Sequence, residues 1–464
     1  MTIQTFIELV FILSIVFLER KKPHEALMWV LLIAFLPYVG VLAYLIFGNT
    51  VNIKIGRMLR SRQFRKRSHI YEEFQRLMQG DISETDKSVA LFNYNYNQAL
   101  PVSHEQLDFY TSGEAHYKAL FEDIRSAAES IHVEFYTIHE DEVGKAFTAL
   151  LGEKAREGVT VTLVCDFLAN IGTSGKMFAG ITENGGYVKR VKRSLTHFRS
   201  HRKIVTIDGK IAYIGGMNIG RQYANRAKIK NPWRDTQVRF TGPCVAVLEN
   251  YVNMDTVCTM NDKDYRRFQE ACAIAEIPAS PDWDNMCQFI IGGIDDERES
   301  IKMCYLSMIR SAKSKICIQS PYFFPDDSLL DALKAAAASG VKLQLMLPLV
   351  KSSFFLEPVS DFYANELAQY GAEIYKYKGY VHAKTMLIDN ELCCIGSVNM
   401  DIRSMEVDDE VCGVFYNNGI VAEYAEVFRH DMENCEAFDS DRFARRGKLQ
   451  KIKERFFLLF APLM

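Results

Sequence analysis

The 464-residue sequence lacks an excess of either charge, with 55 basic and 58 acidic residues and a formal net charge of −3. A polycationic nucleic-acid coat is therefore excluded, and we expect no nucleic-acid partner. Proline (12 residues) and glycine (27 residues) are too scarce for a low-complexity or collagen-like chain. The 48% hydrophobic and 24% charged residues are typical of a globular protein.

The 11 cysteines include no C-x-x-C pair, and Cys393 and Cys394 are adjacent. This spacing is typical of neither a zinc ribbon nor a disulfide framework. Most of the cysteines stand in apolar surroundings, as Cys165 and Cys317 do. We interpret them as reduced, buried side chains of a protein that faces the cytosol.

Charged side chains are absent from residues 26–53, of which residues 29–47 are almost wholly apolar. About 20 such residues in a helix cross a hydrocarbon core of about 30 Å, so this stretch predicts a transmembrane helix rather than a buried helix of a soluble core. A second apolar run, residues 6–18, contains Glu8. It either spans the membrane or lies in the interface, and we favour two spans within residues 1–50.

Residues 51–110 predict a basic juxtamembrane and linker region. Residues 54–67 carry a cluster of cations without any acid, at Lys54, Arg57, Arg60, Arg62, Arg65, Lys66 and Arg67. Because basic flanks stay in the cytoplasm, we expect a multi-pass protein of the cell membrane whose catalytic part is cytoplasmic. The same cations can bind anionic lipid headgroups.

The rest of the chain contains an internal duplication. The pattern H-x-K-x-x-x-x-D followed by G-x-x-N occupies residues 201–218 and recurs 181 positions later at residues 382–399. The paired positions are His201 and His382, Lys203 and Lys384, Asp208 and Asp389, and Asn218 and Asn399. Two such copies are not coincidental, so we predict two similar halves at residues 111–276 and 286–440, followed by a basic and apolar tail at residues 441–464.

Each half alternates strand patterns with helix patterns. The predicted strands are residues 131–138, 159–167, 315–320 and 341–348, and the predicted helices are residues 141–157 and 327–339. Strands that alternate with helices of this length predict βαβ units, an α/β fold and a largely parallel sheet.

The repeated motif suits the chemistry of a phosphate group. Residues i and i+2 of a strand share a face, so each histidine is expected beside the lysine of its motif. The lysine offers a fixed cation, and the histidine can attack phosphorus or move a proton. Asn218, Asn399 and Ser397 can add donors for the developing oxyanion charge.

The acidic residues have different expected roles. Asp208 and Asp389 complete the catalytic motif, but they lie at an odd offset from the histidines and begin Asp-Gly and Asp-Asn hairpin turns. We therefore interpret both as structural supports of the site. Asp235 and Glu410 are the candidates to orient the imidazoles. His197 and His201 are four residues apart without a third ligand, so no metal is expected.

The doubled motif resembles that of the phospholipase D superfamily, and nearly the whole chain resembles the bacterial cardiolipin synthases within it. The residues that carry the second resemblance are Arg20-Lys-Lys-Pro, Trp29, Pro37, Tyr38, Gly40, Phe47-Gly48, Asn218-Ile-Gly, Tyr223, Trp233-Arg-Asp-Thr, Gly242-Pro, Ser320-Pro-Tyr-Phe and Asp401-x-Arg403-Ser404. The resemblance implies duplicated α/β/α halves that share one active site, preceded by an N-terminal transmembrane hairpin.

The resemblance also implies a phosphatidyl transfer that needs no metal or other cofactor. One histidine would attack phosphatidylglycerol and form a phosphatidyl-histidine. The other would protonate the departing glycerol and then deprotonate a second phosphatidylglycerol, giving cardiolipin. We favour His201 as the nucleophile and His382 as the acid and base, but the near-symmetric motif leaves the assignment open. The expected partners are phosphatidylglycerol and anionic membrane lipid, and a homo-oligomer stays open.

Three rival functions use the same sequence features. A phospholipase D-type hydrolase or a nuclease would use the same histidines, and a phosphatidylserine synthase would make the same kind of transfer. A non-enzymatic scaffold is disfavoured because both motifs are intact. Asp408 stands where the family commonly has Asn, which bears on the handling of the acceptor.

Two basic segments remain. Residues 189–203 carry seven basic residues and no acid and lead into His201, so we favour steering of anionic lipid over an ordinary solvated face. The tail from residue 442 combines cations with the apolar run 456–460. It is either an interfacial amphipathic segment or a tail that docks on the core.

Overall fold

The computed structural model describes residues 3–18, 23–45, 74, 78, 83–192, 199–225, 232–277, 282–293, 296, 298–350, 356–416 and 418–458. Within these ranges the protein has an α/β fold with two halves, each built on its own mixed β-sheet.

The α-helices of the described residues are α1 (Ile3–Leu13), α2 (Pro23–Phe35), α3 (Pro37–Ala43), α4 (Glu84–Asn95), α5 (Gly113–Ser126), α6 (Glu142–Arg156), α7 (Ala179–Glu183), α8 (Val245–Thr259), α9 (Asp262–Phe268), α10 (Ser300–Ser311), α11 (Asp327–Ala338), α12 (Leu356–Ala368), α13 (Ile402–Glu406), α14 (Asn418–Glu433), α15 (Ser440–Ala444) and α16 (Lys448–Leu458). A π-helical turn, Ser14–Leu18, continues α1, and 3₁₀ turns occupy Gly175–Phe178 and Trp283–Asn285.

The strands are β1 (Val102–Ser103), β2 (Gln106–Tyr110), β3 (Ser130–Phe135), β4 (Thr160–Asp166), β5 (Tyr187–Val191), β6 (Lys203–Ile207), β7 (Ile211–Gly215), β8 (Trp233–Arg234), β9 (Gln237–Thr241), β10 (Met286–Gly292), β11 (Lys315–Gln319), β12 (Phe323–Phe324), β13 (Lys342–Pro348), β14 (Glu373–Tyr377), β15 (Tyr380–Val381), β16 (Thr385–Ile388), β17 (Leu392–Gly396), β18 (Met400–Asp401), β19 (Glu410–Phe415) and β20 (Cys435–Ala437).

The predicted βαβ units are confirmed in both halves. β3 and β4 are parallel on either side of α6, and β11 and β13 are parallel on either side of α11. Each helix begins at an aspartate N-cap, Asp141 or Asp326, whose carboxylate accepts backbone N–H groups of the first turn.

The prediction of largely parallel sheets is wrong, because both sheets are mixed. The first has the strand order β2-β9-β7-β6-β3-β4-β5, and the second has the order β1-β10-β19-β17-β16-β11-β13-β14-β20. β3, β4 and β5 are parallel, as are β11, β13 and β14, whereas β6, β7, β16 and β17 pair antiparallel.

One hairpin turn in each sheet joins two of its antiparallel strands. Asp208 and Gly209 have φ angles of 52° and 62° between β6 and β7, and Asp389 and Asn390 have φ angles of 53° and 56° between β16 and β17. Two successive residues with positive φ are the pattern of a type I′ turn, which reverses the chain. The strand that follows each H-x-K segment therefore folds back beside it.

Three apolar cores hold these layers together. One covers the outer face of the first sheet beneath α5 and α6, and one covers the outer face of the second sheet beneath α10, α11 and α12. The middle core combines the inner faces of both sheets with α8 and α14. In it the Phe240 ring lies 5.6 Å from that of Phe289 and 5.7 Å from that of Phe415, so the two sheets meet directly.

The N-terminal helices pack against each other as a hairpin. Ile15, Ile33 and Tyr44 are buried between them, while many apolar side chains on the outer faces, such as Phe17 and Phe35, are exposed. A search of the described residues finds no helix that is both long enough and apolar enough to cross a membrane. The basic segment at residues 54–67 lies outside the described residues.

The sequence between the two predicted halves, with Pro278, Pro281 and two aspartates in residues 277–285, predicts a junction. Of this segment, residues 278–281 lie outside the described ranges. In the tail, α16 docks against α12 through Phe457. Docking on the core is therefore correct for one face of this helix.

Candidate active site

The motif histidines lie just before strands rather than within them. β6 begins at Lys203 and β16 begins at Thr385, so His201 and His382 enter the site from the connecting chain. Both lysines are buried, with exposed fractions of 0% for Lys203 and 1% for Lys384.

Each motif histidine is held by a carboxylate from the other half. The Nδ1 atom of His201 lies 2.7 Å from Oε1 of Glu410, and Nδ1 of His382 lies 2.6 Å from Oδ2 of Asp235. Each histidine also donates its backbone N–H to the carbonyl of the residue just before that acid, at 2.9 and 2.7 Å. Asp235 and Glu410 therefore touch the imidazoles, and they do so across the boundary between the halves.

Short parallel strand contacts support this exchange. β8 of the first half pairs with β15 of the second, and a single parallel bridge joins Ser200 to Asp409. These two contacts bring the histidines into one site, where the charges of Lys203 and Lys384 each act on both imidazoles.

The lysines lie close to their own histidines. Lys203 Nζ donates to the carbonyl oxygen of His201 at 2.5 Å and lies 5.4 Å from the centre of the Tyr136 ring. Lys384 Nζ donates to the carbonyl oxygen of His382 and lies 2.9 Å from its Nδ1. Burial lowers the pKa of Lys203 to about 7 and that of Lys384 to about 8. A phosphate placed between the two ammonium groups would favour their charged forms.

The surroundings of both imidazoles favour the neutral form by lowering their pKa values. Burial, aided by the charges of Lys203 and Lys384, holds the pKa of His201 well below its ordinary value. Burial and Lys384 lower the pKa of His382 to about 4. Each ring can therefore offer a nitrogen lone pair.

The two carboxyl groups differ in charge state. Burial raises the pKa of Glu410 to about 7, although Lys203 opposes the shift. Burial also disfavours the charge of Asp235, but Lys384 and His382 outweigh it and keep the pKa of Asp235 below its ordinary value. The partner of His382 is thus the more fully ionised acid.

The predicted phosphate donors are placed unequally. Asn218 donates to the hydroxyl of Tyr223 at 2.7 Å, and Ser397 donates to Glu410, so both side chains support other groups of the site. Among the described residues, the buried Oδ1 atom of Asn399 has no hydrogen-bond partner. Asn399 is therefore the member of this set with unused hydrogen-bonding capacity.

The motif aspartates lie outside the site, at the far ends of β6 and β16. The Asp208 carboxylate accepts the backbone N–H groups of residues 128–130 at 2.8 Å. The Asp389 carboxylate accepts those of residues 313–315 at 2.6–2.8 Å. The interpretation of both aspartates as structural supports agrees with these contacts, and their grouping with the catalytic residues stays a prediction.

Aromatic rings surround the histidines, and the sequence analysis assigned none of them a role in the site. The ring centroid of His201 lies 4.7 Å from that of Tyr136, and that of His382 lies 5.1 Å from Trp233 and 5.9 Å from Tyr380. Trp233 stands next to Arg234 and Asp235 in a recognisable motif, but its contact with His382 crosses between the halves and has no local signal.

The prediction that residues 189–203 form one lipid-steering cluster is wrong at its C-terminal end. Arg202 is buried, forms an ion pair with Asp255, and donates to the carbonyls of Gly292 at 2.9 Å and Glu410 at 3.1 Å. It joins the halves instead of facing lipid. Lys189 and Lys192 are exposed, and residues 193–198 lie outside the described ranges.

The geometry supports displacement at phosphorus. Among the described residues, the ring hydrogen bonds of both motif histidines are made at Nδ1, and the side chains of His201 and His382 are 12% and 11% exposed. Two accessible imidazoles beside two cations can attack, protonate and stabilise charge. No three metal-ligating side chains converge anywhere in the described ranges.

Comparisons with known families match both halves. A family model described as "Cardiolipin synthase, PLD-like domain" matches residues 120–228 and 305–432. A second, described as "Phospholipase D-nuclease N-terminal", matches residues 9–49.

Full-length relatives and a solved structure agree with these matches. Cardiolipin synthase 2 of Staphylococcus epidermidis is 32% identical over 480 residues, covering 99% of this chain and 96% of that protein. A cardiolipin synthase of Clostridium perfringens is 32% identical over 467 residues, covering 96% of each. A phosphatidylserine synthase of Haemophilus influenzae superposes with a TM-score of 0.65 at 13% identity, covering 82% of this chain and 100% of that one. At that identity the structural likeness shows a shared fold.

Proposed function

Because the chain belongs to the cardiolipin synthase family of phospholipase D-like proteins, we propose that it transfers a phosphatidyl group from one phosphatidylglycerol to another and releases glycerol. The observation that carries the proposal is the pair of imidazoles in one site, each held by a carboxylate of the opposite half. Two oriented histidines are what a two-step transfer through a covalent intermediate needs.

In the first step, Nε2 of His201 attacks the phosphorus atom of phosphatidylglycerol. The bond from phosphorus to the glycerol headgroup breaks, and His382 in its protonated form gives a proton to the departing oxygen. This assignment of roles is supported by the charges around each ring. Asp235 opposes the lowering of the pKa of His382 and so favours a proton there, whereas Lys203 and Lys384 add to the effect of burial that lowers the pKa of His201 and keep its lone pair available.

In the second step, His382 is neutral and takes the proton from a hydroxyl of a second phosphatidylglycerol. That oxygen attacks the phosphatidyl-histidine, the bond from phosphorus to Nε2 breaks, and cardiolipin leaves with His201 restored. Lys203, Lys384 and Asn399 face the phosphate oxygens and stabilise the charge that develops on them. No metal takes part in this scheme.

The membrane supplies both substrates, and we propose that the N-terminal hairpin lies in it. The apolar side chains that face outward from α1, α2 and α3 support this placement, since a soluble hairpin would bury them. The cations at residues 54–67 favour a cytoplasmic location for the halves, which we place at residues 111–276 and 286–440.

Mass spectrometry of the products tests this function. Purified full-length protein is incubated with phosphatidylglycerol alone, with and without EDTA. We expect cardiolipin and an equal amount of glycerol in both samples. His201→Ala and His382→Ala serve as inactive controls. Phosphatidic acid in place of cardiolipin would instead indicate a hydrolase, and loss of activity in EDTA that only magnesium restores would contradict the metal-free chemistry.

A further inference from the structure

We propose that α16 is a docking surface for an anionic lipid bilayer beside the mouth of the active site. The identity of the lipid substrates near this surface rests on the proposed function, whereas the surface itself follows from the exposed side chains and contacts of α16. It goes beyond the N-terminal hairpin, because it assigns a second, separate membrane contact.

The buried face of α16 fixes the helix on the second half. Phe457 is 6% exposed and packs with Phe324 and Val359. Glu454 is 2% exposed and accepts from Nε of Arg446 at 2.6 Å. These contacts fix the orientation of α16 on the second half, and they therefore also determine which of its side chains face outward.

Another side of α16 carries a stripe of exposed apolar side chains. Leu449, Ile452 and Phe456 are 84%, 64% and 55% exposed. Their spacing of three and four residues places them on one side of a helix. Three large apolar side chains in one exposed row are unusual for a solvated helix and are typical of a face that meets a membrane or a partner.

The charges around the stripe favour a membrane over a protein partner as its binding surface. Lys448, Lys451 and Arg455 are exposed beside it, and the acid within α16, Glu454, is buried in its ion pair. The exposed face of α16 therefore combines apolar and cationic groups without an exposed acid. An interfacial helix on anionic lipid has this composition, with apolar groups below the headgroups and cations among them.

The position of α16 connects this surface to the site. Tyr322 packs against the same small core as Phe457, and its hydroxyl accepts from that of Tyr380 at 3.0 Å. The Tyr380 ring lies 5.9 Å from that of His382. Tyr322 and Tyr380 thus connect α16 to the His382 side of the active site, the side on which we place the bilayer.

Quenching of tryptophan fluorescence by brominated lipid tests the surface directly. Full-length Ile452→Trp is reconstituted in vesicles of brominated phosphatidylglycerol, and the signal of the parent protein is subtracted. Gln450→Trp is the matched control, since it is also exposed but lies on another side of the same helix. We expect strong quenching at position 452 and weak quenching at position 450. Equal quenching at both positions, or none at position 452, overturns the proposal.

Kinetics on mixed micelles provide a second measurement. Replacing Leu449, Ile452 and Phe456 together by Ser should raise the surface concentration of phosphatidylglycerol that gives half-maximal rate by about tenfold, with little change in kcat. Ile171→Ser, which removes a 68% exposed apolar side chain from the first half, is the control and should behave like the parent. An unchanged half-maximal concentration in the triple variant contradicts a membrane role of the stripe.

These outcomes separate the surface from the activity. If cardiolipin forms but position 452 is not quenched, the docking surface is wrong and the proposed function stands. If position 452 is quenched but no cardiolipin forms from phosphatidylglycerol, the surface stands and the function is wrong.

Discussion

At the scale of single residues, equivalent positions of the two halves hold different groups. Ser397 donates its hydroxyl to Glu410, whereas the equivalent residue of the first half is Gly216. A Cβ atom added at Gly216 would come 2.1 Å from Oδ1 of Asp235. The two carboxylates therefore have different neighbouring groups, and the surroundings of the two histidines are not equivalent.

We predict that Asp235→Asn and Glu410→Gln each lower kcat by about 10²–10⁴-fold, because an amide can leave the imidazole in the wrong tautomer. The protein should stay folded, since the substitutions keep size. Because orienting and reacting groups act as a unit, His382→Ala/Asp235→Asn should be no slower than His382→Ala alone. Single-turnover rates with labelled phosphatidylglycerol measure this, and multiplicative losses would contradict the assignment of Asp235 as a positioning residue.

Asp208 and Asp389 should matter for stability more than for chemistry. Asp208→Asn removes the charge from three backbone contacts and should cost about 1.5–3 kcal/mol of unfolding free energy, with kcat changed little. Those contacts lower the pKa of Asp208, although burial opposes them. The stabilisation is therefore present above the ordinary carboxyl pKa and lost as pH falls through the lowered one.

Thermal unfolding in detergent, followed from pH 7 to pH 3, checks this sign. The difference between the parent and Asp208→Asn should shrink toward pH 3, and Asp389→Asn should behave in the same way. A folded Asp208→Asn protein without activity would show that this aspartate takes part in the chemistry.

The alkaline side of the pH profile should report Lys384. Burial lowers its pKa to about 8, so the free enzyme loses this cation as pH rises through that value. Because burial lowers the pKa of Lys203 further, to about 7, we expect kcat/KM to fall first near pH 7 with Lys203 and again near pH 8 with Lys384, both well below the ordinary lysine pKa of about 10.4. Lys384→Arg keeps the charge and should move the second fall to higher pH even if its activity is lower. An unmoved alkaline limb assigns the titration to another group.

At the scale of elements, Arg202 is the buried link between β6 and the second half. Arg202→Met would remove the ion pair that Arg202 makes with the buried Asp255 and the hydrogen bonds that it donates to two carbonyls. We predict a loss of about 3–5 kcal/mol in unfolding free energy and a fall in kcat as Glu410 shifts. Arg429→Met is the control, because Arg429 pairs with Glu426 on an exposed helix surface. Similar unfolding temperatures for the two variants would contradict this role.

Elements that depend on neighbouring residues were predictable from the sequence. The hairpin turns at Asp208 and Asp389 and the βαβ units follow from turn residues and periodicity, which act locally. The contacts of Asp235 with His382 and of Glu410 with His201 were not predictable from the sequence. Each acid follows the histidine of its own half along the chain, and its contact with the histidine of the other half depends on how the halves pack. The burial of Arg202 was not predictable for the same reason. A run of basic residues has the same sequence whether its side chains face lipid or pair with an acid such as Asp255.

At the scale of the whole molecule, catalysis and anchoring should be separable. A chain beginning at Ser68 loses the hairpin but keeps Phe74, whose ring packs 5.0 Å from Tyr94 in the core, together with both motifs. We predict that it folds and acts on micelles but binds vesicles only when they contain phosphatidylglycerol.

Vesicle flotation at rising salt measures this prediction. Binding should weaken with salt, because exposed cations near a membrane surface contribute about 1 kcal/mol each and are screened. Changing Lys189, Arg190, Lys192 and Arg193 to Gln should raise KM on vesicles more than it lowers kcat. Binding that ignores both salt and anionic lipid would leave these cations as an ordinary solvated face.

Each half supplies a carboxylate to the histidine of the other half. This arrangement has the symmetry of a twofold homodimer, in which each copy makes the same contact with its partner. Joining two such copies in one chain holds them at an effective concentration of about millimolar or more, so the contact no longer needs to be strong by itself. It also lets the two copies of each position change independently, as Asp235 and Glu410 have. The carboxylate that orients each histidine lies in the half that does not contain that histidine. To change the properties of the nucleophilic histidine, one would therefore mutate the opposite half.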